Sequence, residues 1–179
     1  MTMFSDVKYE TAKLFMYQIV MAVFGLVTVM ATTKSVPLTL ICSVLGIGLY
    51  VFLVYNMMWD IGAKDRIKAD AGRYEYSAMK PFLMAFVAGI PNLLFGGLCV
   101  FRLAGGAVFQ KIARVGETVA KLINGHFLGA VKLTRMLDNP FVWVLVAIIC
   151  IIVPVLGYNA GYRGFALIPA LHRDKKENE

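Results

Sequence analysis

Apolar positions in this chain come in long blocks, not in short alternating runs. Four stretches, Leu14 to Thr33, Val36 to Trp59, Phe82 to Phe101 and Phe141 to Tyr162, contain no Asp, Glu, Lys or Arg. A helix crossing a hydrocarbon core about 30 Å thick needs roughly 20 predominantly apolar residues. One ionised side chain at the bilayer centre costs about 2.5–3.5 kcal/mol even on the mildest scale. The pattern therefore predicts an all-α integral membrane protein with four transmembrane helices, at about 14–33, 36–59, 82–101 and 141–162. Helices are expected because each span must satisfy its own backbone in lipid, and a β-barrel would show short alternating segments.

The boundaries carry their own signals. Pro37, Pro81 and Pro140 fall at the first turns of the second, third and fourth spans, where a missing N–H is no loss. Tyr9, Tyr17, Tyr55, Trp59, Tyr74, Tyr76, Trp143, Tyr158 and Tyr162 collect near span ends, as rings that prefer headgroup depth do. The first apolar block is too long for the core of a signal peptide, and Val29 and Ala31 make a poor cleavage site. It is expected to be a retained helix.

The connection at 102–139 is more than a loop. Val108, Ile112, Val115, Val119 and Leu122 recur at helical spacing, and Lys111, Arg114 and Lys121 fall on another face. An amphipathic helix between the third and fourth spans follows. Two placements fit it. It can lie in the interface plane with Lys111, Arg114 and Lys121 toward lipid headgroups, or it can pack its apolar stripe on the bundle. A short polar tail, 163–179, ends the chain.

Composition agrees with the blocks: 59% of the 179 residues are hydrophobic and 16% charged, against roughly a quarter charged in soluble domains. The net charge of +7 does not point to nucleic acid, because the basic residues flank spans, where they orient insertion and meet anionic lipid. The bilayer is the expected partner. Lys8, Lys13, Lys64, Arg66, Lys68, Arg73, Lys80, Arg163, Arg173, Lys175 and Lys176 would lie on one side of a four-span chain. Lys34, Arg102, Lys111, Arg114, Lys121, Lys132 and Arg135 would lie on the other. The excess favours cytoplasmic termini in a plasma membrane, by a narrow margin.

A faint repeat runs through the halves. Lys8-Tyr9-Glu10 precedes the first span and Arg73-Tyr74-Glu75 the third; Tyr55-Asn56 ends the second and Tyr158-Asn159 the fourth. Two parallel hairpins would produce such a pattern, and so would the general preference of interfaces for Tyr and Lys.

Little here suggests chemistry. His126 and His172 are expected outside the spans, and no metalloprotease, nucleophile-elbow or phosphate-loop motif occurs. Asp60, Asp65, Asp70 and Glu75 alternate with Lys and Arg, which reads as a solvated mixed-charge loop. Cys42, Cys99 and Cys150 form no CxxC and read as small packing residues. No enzyme, cofactor or metal site is expected. Within the spans, Gln18 and Asn92, the helix-interrupting Pro91 and Pro154, and the Gly157–Gly161 pair are candidate helix-packing or pore-lining residues. The sequence thus favours a non-catalytic subunit or scaffold of a membrane complex, associating with itself or with other membrane subunits. The alternative is a small oligomeric transporter or channel for a neutral solute.

Overall fold

The structure is a computed structural model and describes residues 3–165; His172 and the tail cations Arg173, Lys175 and Lys176 lie outside the described residues. Six α-helices follow one another: α1 (Met3–Thr32), α2 (Val36–Asp70), α3 (Met79–Val100), α4 (Ala107–Ile123), α5 (Gly125–Leu133) and α6 (Val142–Arg163). Four of them, α1, α2, α3 and α6, are long and apolar enough to cross a membrane. The chain is an all-α membrane protein with four candidate spans, and α4 and α5 lie in the connection between the third and fourth.

The spans run antiparallel in chain order. Between α1 and α2 the chain reverses within a few residues, held by Ser35 N–H donating to Thr32 O at 3.0 Å and by Thr39 Oγ1 donating to the same carbonyl at 2.7 Å. At the opposite end, the start of α1, the end of α2, the start of α3 and the end of α6 come together around Lys80. Hydroxyls inside the spans satisfy themselves locally: Thr28 donates to the carbonyls of Phe24 and Gly25, and Ser43 to that of Thr39, the back-bonding that lets Ser and Thr sit in helices.

Two features depart from the sequence reading. First, α2 does not stop at Trp59 but continues to Asp70, so Asp60, Asp65 and Asp70 stand on a helix and not in a loop. Hydrophobicity marks where lipid ends; backbone helicity can go on past it, and Lys64–Asp60 and Arg66–Asp70 pairs at i,i+4 support the extension. Second, the third connection re-enters the bundle. Gly105 and Gly106 adopt positive φ of 68° and 82°, open to glycine at no steric cost, and turn the chain from α3 back along it as α4. The helix breaks at Asn124, and α5 climbs back between α1 and α2. The Lys-Tyr-Glu pattern of the suspected repeat lies inside α1 at 8–10, whereas Arg73-Tyr74-Glu75 is non-helical, so the two copies differ in structure.

The core follows these contacts. Leu14, Tyr50, Val54, Met58, Met84, Cys150 and Tyr158 form its main cluster; Cys99, Ala120, Val131, Val142 and Trp143 form a second one where α4 and α5 meet α3 and α6.

Candidate functional sites

The bundle is drawn together by glycines. Gly157 and Gly161, four apart on α6, lie against the backbone of Tyr55 and Trp59 on α2, and Gly62 of α2 lies against the Tyr158 carbonyl. Gly96 meets the Trp143 backbone, and Gly116 of α4 meets Phe95 and Cys99 of α3. Where no Cβ intervenes, backbones approach and dispersion contacts multiply. Pro154 is buried and Pro91 half-buried, each inside a helix that continues past it. Asn92 is buried on the inner face of α3.

The same device seats α5. Gly25 of α1 touches the backbone of Gly125 and His126, and Gly129 faces Ser43 and Val29. Gly25 stands seven residues before the end of α1, about 10 Å along the helix axis at 1.5 Å per residue. The break between α4 and α5 therefore lies well inside the bundle. His126, expected outside the spans, is buried at 2% exposure with its ring 4.1 Å from that of Tyr50 and its neighbour Phe127 edge-on to the same ring. A segment 38 residues long without a span of its own looked extramembrane; the run Gly125-His126-Phe127-Leu128-Gly129 was the signal, a small-xxx-small pair in apolar surroundings.

A polar cluster results at this depth. Gln18 from α1, Tyr50 from α2, Asn124 and His126 from the break, and Cys150 from α6 are all buried. Cys150 Sγ is 3.9 Å from Asn124 Oδ1, and Asn124 Nδ2 donates to Ala120 O at 3.1 Å, which caps the end of α4. The Tyr50 hydroxyl lies beside Gln18 and Cys150. Among the described residues, the Gln18 amide nitrogen and both His126 ring nitrogens have no hydrogen-bond partner. A buried polar group left without a partner costs about 1–3 kcal/mol.

The second cluster sits where four helix ends converge. Asp65 is 2% exposed. Its Oδ2 accepts from Lys80 Nζ at 2.6 Å and from the Tyr158 hydroxyl at 2.8 Å, and Lys68 Nζ stands 3.5 Å from Oδ1. Tyr74 closes the ring, its hydroxyl 3.3 Å from that of Tyr158 and its face 5.6 Å from Lys80 Nζ. Glu10 of α1 adds a longer contact to Lys80 at 3.9 Å. The set joins α1, α2, α3 and α6. The equal spacing of the acids concealed it, because only Asp65 turns inward.

On α4 the faces divide in three. Ala113, Gly116 and Ala120 are buried against the bundle. Of the apolar stripe, Val108, Val115 and Leu122 are exposed, at 68%, 58% and 53%, while Ile112 and Val119 are half-buried, so the described residues cover it only in part. Lys111 and Arg114 are exposed on a third side, and Lys121 pairs with Glu117 at 2.6 Å. Apolar and cationic stripes thus flank the docking face.

Comparison with known proteins finds no matching family model, no similar curated protein and no similar solved structure.

Proposed function

We propose that this chain is a non-catalytic subunit or scaffold of a membrane complex, associating through its lipid-exposed helix surfaces with copies of itself or with other membrane proteins. One observation carries the reading: glycine contacts along the bundle bring α1 to α5, α2 to α6 and α3 to both α4 and α6 at backbone distance. Four spans joined in that way form a solid body, suited to holding others in place. Purification in mild detergent tests it. A stoichiometric partner or a defined homo-oligomer is expected; a monodisperse monomer that captures nothing under crosslinking would contradict it.

The second reading, a small oligomeric transporter or channel for a neutral solute, is favoured by the Gln18–Tyr50–His126 cluster beside a helix break, since broken backbone at membrane depth is tolerated where it is buried in protein or lines a cavity. Flux of small neutral solutes into proteoliposomes, abolished by His126→Leu, would shift the assignment to it. The orientation proposed is termini inside, in a plasma membrane. An impermeant thiol reagent on intact cells should then label Asp138→Cys and spare Asp70→Cys.

A further inference from the structure

The helix α4 enters the bundle at a slant. It starts at the glycine turn after α3, and its middle, Gly116, lies against Phe95 and Cys99 in the last turns of that span. Its end at Asn124 adjoins the Gly25–Gly125 contact, about 10 Å in from the end of α1 at 1.5 Å per residue. The first half of α4 therefore stands at the level of the span ends, and the second half deeper.

Charge is distributed accordingly. Between Arg102 and Asn139 the chain has two acids, Glu117 and Asp138. Glu117 holds Lys121 at 2.6 Å on the deeper half of α4, and Asp138 faces Arg102 at 3.6 Å. Both acids are thus engaged. Lys111 and Arg114, exposed on the first half, have no ion-pair or side-chain hydrogen-bond partner among the described residues. The cations that follow the second span are different: Lys64, Arg66 and Lys68 each have a carboxylate nearby, at 2.6, 3.9 and 3.5 Å. We propose that Lys111 and Arg114 hold the phosphate of an anionic phospholipid, of the phosphatidylglycerol class, whose acyl chains lie along the apolar side of α4.

Helical spacing makes the two cations one site. Residues three and four apart on a helix are neighbours, about 5–6 Å between Cβ atoms. Lys111 and Arg114 are three apart, so both can donate to one phosphate, and charge-assisted bonds of this kind are the strong ones. Lys121, which spacing groups with them, is taken up by Glu117.

The apolar side supplies the rest of the fit. Lys111 is three positions from Val108 and four from Val115, and both valines are exposed. With Leu122, also exposed, they form a line of apolar side chains seven apart that runs from the span ends inward. That gradient follows a lipid's own, from headgroup to acyl chain. A soluble anion would have no use for the line, and a zwitterionic lipid would bring its ammonium beside two cations that lack an acid.

The test titrates the purified full chain in detergent with phosphatidylglycerol, phosphatidylcholine or soluble glycerol phosphate, read by native mass spectrometry and by melting midpoint. Phosphatidylglycerol should bind about tenfold or more tighter than phosphatidylcholine, with a smaller margin at high salt. Glycerol phosphate should not compete with it. Lys111→Gln/Arg114→Gln should bring the two lipids to within about twofold of each other, while Lys111→Arg should keep the preference. Lys64→Gln/Arg66→Gln lowers the net charge equally at the opposite end and should leave the preference unchanged. All four positions are exposed, so the lipid-free midpoint reports whether each variant is folded. Equal binding of the two lipids, an undiminished preference after Lys111→Gln/Arg114→Gln, an equal loss after Lys64→Gln/Arg66→Gln, or full competition by glycerol phosphate would overturn the proposal.

Discussion

Lys80 Nζ lies 2.6 Å from Asp65 Oδ2, and the two side chains are only 9% and 3% exposed. A charge pair this well buried repays its desolvation only when its remaining bonds are filled, and removing one partner leaves the other uncompensated. Tyr158 and Lys68 supply those bonds. Because the pair joins the end of α2 to the start of α3, it fixes how two spans meet.

Lys80→Met should therefore destabilise the fold by about 3–5 kcal/mol, seen as a lower melting midpoint in detergent. Adding Asp65→Asn should cost less than the sum of the single losses, since the second change removes the stranded carboxylate. Strictly additive losses would show that the two residues do not act as a pair.

Glycine at 161 is predicted to be irreplaceable for steric reasons. A Cβ there would collide with the Trp59 carbonyl, whereas one at Gly97 would meet nothing within 4 Å. Gly161→Leu should prevent α6 from seating on α2, with loss of folded protein on size exclusion. Gly97→Leu should behave as wild type apart from a change in helix propensity and lipid contact. Similar behaviour of the two variants would contradict the proposed packing.

How far the sequence could be read follows from the same residues. The four spans were legible because lipid imposes a length and forbids charge, and both constraints act on composition alone. Gly157 and Gly161 were legible as a spaced pair. His126 and Asp65 were not. Each is a polar residue whose burial depends on where another segment goes: His126 on the Gly25–Gly125 contact, Asp65 on a lysine fifteen positions away across a non-helical link. Hydropathy counts such residues as exposed until a tertiary partner is known. The three faces of α4 were half legible, since the apolar and cationic stripes stood out while Ala113, Gly116 and Ala120 gave no signal of their own.

The exposed stripe on α4 makes a prediction in membranes. If the exposed apolar side of α4 meets lipid acyl chains and its cationic side does not, an environment-sensitive fluorophore at Val115→Cys should emit at shorter wavelength in reconstituted bilayers than one at Arg114→Cys. Matching spectra would mean that the two sides of α4 meet the same surroundings.

The re-entry of α5 between α1 and α2 is what makes the bundle solid, and a disulfide reports on it directly. A Cβ at Gly129 would lie 3.1 Å from Ser43 Cβ, somewhat closer than the usual 3.5–4.5 Å of a disulfide and within reach of a small adjustment. In a background with Cys42, Cys99 and Cys150 replaced by Ala, the Ser43→Cys/Gly129→Cys protein should crosslink under mild oxidation in native membranes. After cleavage at a protease site placed in the 101–106 turn, the two fragments should stay joined until reductant is added. Separation of the fragments without reductant, with both cysteines still reactive, would place α5 outside the bundle.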